Sequence, residues 1–191
     1  MSYTPDPAHR ALWRAARTLD DLGELTAQWL EGRISYVLGY GTAAPDEETI
    51  PLVPVLADLN RHGYVTAFSQ PGVPLDEDGD GQRAAVSGFC TEQTAQRIKA
   101  SLLRTELVVV AYPGGSDVAP SIVATVYGGE NVWVGGATSP SDLADEYGEG
   151  LGLAGLDALC NAWQVDILDP VWGRTGLLWE RLSAVWVGER S

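Results

Sequence analysis

Lysine is nearly missing from this sequence, and histidine, cysteine and methionine are scarce. Of the 12 basic residues 11 are arginine, and they stand against 26 acidic residues, which gives a formal net charge of −14. A chain with this charge repels nucleic-acid phosphates, so direct binding of DNA or RNA is not expected. The acidity is expected to serve solubility, or else to attract a basic protein partner, as a nucleic-acid mimic does.

The scarcity of cysteine and histidine limits the chemistry that can be expected. Cys90 and Cys160 are too few and too far apart for a disulfide framework or a zinc site, so no metal is expected. Cys90 with His62 is the one conceivable nucleophile–base pair, and a buried structural Cys90 is the alternative. The sequence leaves open whether the protein is an enzyme.

Long apolar runs are missing too. No stretch approaches the roughly 18 apolar residues that span a bilayer, and the first residues lack an apolar signal core followed by a cleavage site. We therefore expect a cytoplasmic protein without a membrane partner. Its oligomeric state is not predicted.

What the chain does contain is typical of a globular fold. Its 191 residues are 45% hydrophobic and include seven tryptophans, which suits a single domain, residues 1–191, with a substantial core. Residue patterns predict an α+β fold in which N-terminal helices precede a mixed, mainly antiparallel sheet with crossover helices. The predicted strands are 64–70, 83–90, a buried strand at 106–113, a hairpin at 121–136, and 165–168.

Two motifs suggest ligands but are interpreted otherwise. Residues 150–155, "GLGLAG", satisfy the dinucleotide-binding pattern, with Asp169 as a ribose-binding acid, but no buried strand precedes them. They are better explained as a glycine-rich connection between two helices, so no cofactor is expected.

Residues 76–87, "DEDGDGQRAAVS", begin like a calcium loop but end in Ser87 where the bidentate glutamate should stand. An exposed acidic loop is the preferred interpretation.

Neutral polar side chains gather around the first predicted strand, "YVTAFSQ". In a regular strand Thr66 and Gln70 share one face and Ser69 lies on the other. A hairpin through the acidic loop would bring Gln82 and Arg83 beside Ser69 and Gln70, at a sheet end near solvent. The candidate ligand-binding residues are Asn60, Thr66, Ser69, Gln70, Gln82 and Arg83. Turn capping and an ion pair between Arg83 and the acidic loop are the structural alternative.

The same region resembles a known family. Residues 59–72, "LNRHGYVTAFSQPG", and 82–89, "QRAAVSGF", are similar to an actinobacterial family of unknown function, as are residues 25–34 and 45–60 before them. The resemblance covers about residues 18–110 and centres on the pattern N-x-x-G-[YF]-x-T-x-x-S-Q-P-G followed by Q-R-A-x-V-x-G-F. It implies no activity.

We therefore expect a protein that binds, or acts on, a polar small molecule such as a nucleotide-like or amino-acid-like metabolite. The alternative is an acidic interaction protein, either a nucleic-acid mimic or an inhibitor of a basic partner. A cavity lined by Thr66, Gln70 and Arg83 would favour the binder, and charge on one continuous face would favour the interaction protein.

Overall fold

The computed structural model of the protein describes residues 6–39 and 44–186. Within these ranges the α-helices are α1 (Pro7–Ala15), α2 (Leu19–Leu30), α3 (Val53–Arg61), α4 (Glu92–Leu102), α5 (Pro140–Tyr147), α6 (Leu153–Cys160) and α7 (Gly176–Ser183). The β-strands are β1 (Tyr64–Gln70), β2 (Gly81–Gln82), β3 (Ala85–Cys90), β4 (Val108–Tyr112), β5 (Ser121–Tyr127), β6 (Glu130–Gly135) and β7 (Trp163–Leu168). The predicted α+β class, with helices before the sheet, is confirmed.

Helices α2 and α3 begin where local sequence chemistry places them. At α2, Thr18 accepts a hydrogen bond from the Asp21 N–H, and the Asp21 side chain accepts one from the Thr18 N–H in return, which forms a capping box. Before α3, a 3-10 turn at Ile50–Leu52 occupies the proline-interrupted segment. The chain leaves α3 through Gly63, whose φ of +80° suits glycine. Both helices pack against β1.

The larger sheet has the strand order β1-β3-β7-β4, and all its pairs are antiparallel. The predicted strand at 106–113 is β4, but the expectation that this strand is buried holds only at Tyr112. It lies at a sheet edge and only Tyr112 within it is buried, whereas β7 lies in the interior of the sheet and is buried over five of its six residues. An edge position exposes one side of a strand whatever its hydrophobicity.

A second, smaller sheet has the order β2-β5-β6. Its strands β5 and β6 form the hairpin predicted at 121–136, which turns at Gly128 and Gly129 with positive φ angles of +58° and +77°. The two sheets meet through a small apolar cluster of Ala85, Ala124, Val134 and Leu168. The sequence pattern predicted one sheet, and the structure has two.

The main hydrophobic core lies between the larger sheet and the helices. Val86, Val165 and Ile167 alternate along the central strands and are buried in the same cluster as Ile98 of α4 and Leu178 of α7. None of the described helices is long and apolar enough to cross a membrane.

Candidate functional site

A β-bulge reorganises the polar residues of β1. The pairing with β3 shifts between Thr66 and Phe68, so Thr66 pairs with Gly88 and Ser69 pairs with Val86. Gly88 and Val86 are two residues apart in β3, which places Thr66 and Ser69 on the same face. The prediction that Thr66 shares a face with Gln70 is therefore wrong, because the alternation it assumed is interrupted at Ala67.

Gly88 makes the bulge sterically possible. A Cβ atom at this position would collide with the carbonyl oxygen of Val65 and lie 3.0 Å from the Thr66 Cα atom. The backbone of β1 approaches β3 this closely because residue 88 has no side chain.

A cavity of about 170 Å³ lies along the outer edge of β1, next to the bulge. Residues 65–69 form one wall, and the rest comes from the helices α1, α2, α3, α5 and α6, from β3 and from the segments 37–38 and 45–49. Most of the lining is apolar. Its described aromatic members are Trp13, Trp29, Phe68, Phe89 and Tyr147, and its aliphatic members are Leu22, Leu30, Val37, Leu38, Pro45, Leu56, Val65, Ala67 and Leu159.

The polar part of the lining is small and mostly neutral. Thr26, Thr49, Thr66 and Ser69 supply hydroxyl groups, and Glu48 is the charged member among the described lining residues. Burial and the neighbouring Glu146 carboxylate raise the pKa of Tyr147, which also lines the cavity, so its phenol stays neutral. The cavity thus combines an apolar body with a few directional hydrogen-bonding groups, as small-molecule sites do.

Asn60, one of the predicted ligand-binding residues, lies behind this wall. It is 1% exposed, and its Nδ2 donates to the Leu56 carbonyl at 2.8 Å and to Thr66 Oγ1 at 2.7 Å. Its Oδ1 accepts from the Thr66 N–H at 3.0 Å. Asn60 therefore fixes Thr66 and the start of the bulge against α3.

Gln70 lies between the two sheets and not near solvent as predicted. It is 5% exposed, its Nε2 donates to the Arg83 carbonyl at 2.7 Å, and its Oε1 accepts from Thr125 Oγ1 at 3.0 Å. After the bulge Gln70 pairs with Ala85, a residue of the inter-sheet cluster. This register turns its side chain away from the cavity.

The side chains of the adjacent residues Gln82 and Arg83 have different surroundings. Gln82 Nε2 donates to the Pro71 carbonyl at 2.9 Å and to the Glu48 carboxylate at 3.4 Å, which connects Gln82 to the cavity. Arg83 donates to the Val123 carbonyl at 2.9 Å, and its guanidinium lies 4.4 Å from the centre of the Trp172 ring. The predicted cluster therefore divides between the cavity and the second sheet.

A further polar cluster, on β4 and β7, escaped the sequence analysis. The Tyr112 hydroxyl lies 2.6 Å from the Gly136 carbonyl, 2.8 Å from Gln164 Oε1 and 3.4 Å from Asp166 Oδ2. Burial raises the pKa of Asp166, although hydrogen bonds from Ser87 and Tyr112 oppose this. The one available signal was the charged residue inside the apolar strand "WQVDIL".

The glycine-rich segment is a connection between two helices, α5 and α6, as the sequence analysis preferred. Cβ atoms at Gly152 and Gly155 would lie 2.5 Å from the Arg14 carbonyl oxygen and 2.8 Å from that of Ala16, so both glycines serve close packing on the end of α1. Asp169 is fully buried and forms a two-pronged ion pair with Arg174 at 2.7 and 2.8 Å.

The acidic loop uses its carboxylates to order the backbone. Asp76 Oδ1 accepts from the N–H groups of Asp78 and Asp80, and Asp80 Oδ2 accepts from the Gly128 N–H at 2.8 Å. Asp80 thereby attaches the loop to the β5–β6 turn. Across residues 6–39 and 44–186, no group of three or more His, Cys, Asp or Glu side chains is arranged to hold a metal ion.

The conceivable pair of Cys90 and His62 has the environment of a structural core. Cys90 is fully buried, and this burial raises its pKa to about 12, which disfavours the nucleophilic thiolate. The His62 ring stacks on Trp186 with 5.2 Å between ring centroids, and its Nδ1 lies 2.7 Å from the Asp58 carbonyl oxygen.

Comparison with known proteins gives a family but no function. The chain belongs to the family described as "Domain of unknown function (DUF6919)", whose model matches residues 8–188. The expected membership of an uncharacterised family is thereby confirmed at this level. No curated protein matches the chain.

Proposed function

We propose that this DUF6919 protein binds a small molecule in the cavity at the edge of β1. The observation that carries the proposal is the bulge, which places Thr66 and Ser69 on one face, and both residues belong to the cavity wall. Bulges are common beside binding sites, where they redirect side chains. The apolar wall would enclose the body of the ligand, and the hydroxyl groups would orient its polar end.

The size of the cavity supports a ligand built around one ring. Its volume of about 170 Å³ is close to the ~150 Å³ of an engineered apolar cavity that binds benzene. Aromatic amino-acid-like molecules and nucleotide-like molecules both combine a ring with polar groups, as the lining combines apolar side chains with hydroxyl groups. We propose binding and no reaction, because the described lining contains one carboxylate, Glu48, and no histidine, cysteine or lysine.

The edge of β1 that borders the cavity is held in place by its neighbours. As the first strand of the larger sheet, β1 pairs with β3 on one side, and its other side faces α2 and α3. On that outer side the Thr66 N–H is already bonded to Asn60. A ligand in the cavity would therefore meet an ordered strand edge, and a preorganised site lowers the cost of binding.

Native mass spectrometry of the purified protein tests the proposal. We expect a retained small molecule, and we expect Ala67→Trp to abolish its retention, because Ala67 is an exposed residue of the cavity wall. The matched control is Ala100→Trp, on the exposed side of α4, which should retain the ligand as wild type does. Equal retention in Ala67→Trp would contradict the proposed site.

One observation favours an acidic interaction protein as the second candidate. Tyr127 and Val132 are 76% and 49% exposed on the same face of the second sheet, and Asp80 holds the acidic loop beside their hairpin. A basic protein segment with aromatic residues would match this surface. An arginine-rich peptide should then bind to the protein with strong salt dependence. It should bind more weakly to Tyr127→Ser and as strongly as to wild type to the control Leu153→Ser.

We further propose that the chain acts as a single domain, residues 1–191, in the cytoplasm, and that its family is actinobacterial. The cytoplasmic location is supported by its two cysteines, Cys90 and Cys160, which are both free thiols. The recognised sequence pattern supports the actinobacterial origin. Fractionation of expressing cells would test the location directly.

A further inference from the structure

The charge around the cavity selects among the ligands that its size admits. Glu48 stands in the lining, where its carboxylate accepts a hydrogen bond from Gln82 Nε2 at 3.4 Å. A carboxylate offers about four acceptor positions, so Glu48 can accept from a ligand as well. The described lining residues include no arginine or lysine that would neutralise it.

The aromatic side chains of the lining act in the same direction. Trp13, Trp29, Phe68, Phe89 and Tyr147 all contribute to the cavity, and wherever such a ring presents its face to the ligand, it attracts a cation and repels an anion. An anionic ligand would lose its hydration among these rings and gain no cationic partner from the described lining, which is costly.

The field of the whole protein adds to the local preference. A net charge of −14 raises the concentration of cations near the surface and lowers that of anions. At physiological salt this attraction is screened beyond roughly 8 Å. The overall charge therefore speeds the approach of a cation, and Glu48 with the rings holds it.

From these observations we infer that the ligand is a cationic amine attached to a single aromatic or similarly sized apolar ring, with its ammonium group at Glu48. The inference rests on the proposed function, and it narrows the ligand to one charge class. The ring would occupy the apolar body of the cavity between α2 and β1. The ammonium donors would bond Glu48, with the Thr66 and Ser69 hydroxyl groups as neutral acceptors. Phosphorylated nucleotides and carboxylic acids are disfavoured.

Three probes of one shape test this inference: 2-phenylethylamine, a cation at neutral pH, 2-phenylethanol, which is neutral, and phenylacetate, an anion. Their dissociation constants should be measured by ligand-observed NMR on the full chain. We expect the amine to bind about tenfold or more tightly than phenylacetate, the order of one charge-assisted hydrogen bond. The alcohol should bind between them.

Two variants assign the preference to its residue. Glu48→Gln should reduce the advantage of the amine over phenylacetate to within about threefold, because it removes the charge and keeps the shape. Glu47→Gln removes the same charge from a neighbouring exposed residue outside the described lining, so the preference should persist.

The three probes distinguish an error in the charge preference from an error in the binding site itself. If the alcohol binds but phenylacetate equals or exceeds the amine, the charge inference is wrong and the cavity remains a binding site. A preference for the amine that survives in Glu48→Gln also overturns the inference. If none of the three probes binds, the proposed function itself fails, and the inference fails with it.

Discussion

Asn60 and Thr66 are joined by two reciprocal hydrogen bonds. The Asn60 side-chain amide donates to Thr66 Oγ1 at 2.7 Å, and the Thr66 backbone N–H donates to Asn60 Oδ1 at 3.0 Å. A third bond, from Asn60 Nδ2 to the Leu56 carbonyl, anchors the pair to α3. Through these bonds the end of a helix sets the position of the bulged strand that borders the cavity. Asn60 is thus a positioning residue for the proposed site.

Replacing Asn60 by alanine should be strongly destabilising. The change leaves the Thr66 N–H without its acceptor, and an unsatisfied group of this kind costs about 1–3 kcal/mol. Urea denaturation should therefore show a lower free energy of unfolding. Asn161→Ala is the matched control, because Asn161 makes the same side-chain bond to a carbonyl four residues earlier, but in an exposed position. The control should change stability by less than about 0.5 kcal/mol.

Gln70→Ala should also lower stability, by about 1–3 kcal/mol, although the sequence analysis placed this residue near solvent. The substitution leaves the Arg83 carbonyl and the Thr125 hydroxyl without their buried partner between the two sheets. The comparison is with Gln93→Ala on the exposed side of α4, by thermal and urea denaturation. Equal stability of the two variants would show that the contact between the sheets does not depend on Gln70.

The contrast between these residues shows what the sequence could reveal. The helix starts at Thr18 and Thr91 follow from local capping chemistry, which a few neighbouring residues determine. The bounds of β1 were predicted correctly. Its bulge was not, because an extra residue in one strand depends on the partner strand, here on the space above Gly88.

Long-range arrangement accounts for the other differences. The hydrophobicity of β4 predicted burial, but its edge position follows from strand order, which local patterns do not encode. Glu48 and Gln82 are hydrogen-bonded although they are 34 positions apart in the sequence, so local patterns do not predict this contact. Residue type alone thus indicated Thr66 and Ser69 as candidates. The cavity, and Glu48 as its charged lining residue, could be identified only from the folded structure.

The two cysteines should differ in reactivity. Cys90 is fully buried, and its pKa is raised to about 12, whereas Cys160 is half-buried with a more modest rise caused by burial and by Asp157. We expect a disulfide reagent such as DTNB to modify Cys160 in the native protein and Cys90 only after unfolding, because the thiolate is the reactive form.

Cys160→Ala provides the control for this assignment. The variant should show no fast modification in buffer and one equivalent in denaturant. Fast modification of the native variant would mean that Cys90 is accessible, which would revive its pairing with His62 as a candidate nucleophile and base.

Asp166 should make the folded protein less stable as the pH rises, which is opposite to the effect of most carboxylates. Burial raises its pKa above the ordinary value of 3.8, against hydrogen bonds from Ser87 and Tyr112. The folded state therefore binds this proton more tightly than the unfolded state does. The stabilisation from Asp166 is complete below pH 3.8 and is lost as the pH rises through the raised pKa. Tyr112 and Tyr64 do not contribute in this range, because burial raises their pKa values too.

Comparison of wild type with Asp166→Asn isolates this effect from the other carboxylates. Hydrogen bonding to Arg61 lowers the pKa of Glu31 to about 2. Groups of this kind stabilise the folded state at higher pH, and this stabilisation is lost as the pH falls. They are common to both proteins and cancel in the difference. Free energies of unfolding measured from pH 3.5 to pH 8 should show wild type losing stability relative to Asp166→Asn as the pH rises. A flat difference for Asp166→Asn would mean that Asp166 has the same pKa in the folded and unfolded states, because the hydrogen bonds from Ser87 and Tyr112 offset the effect of burial.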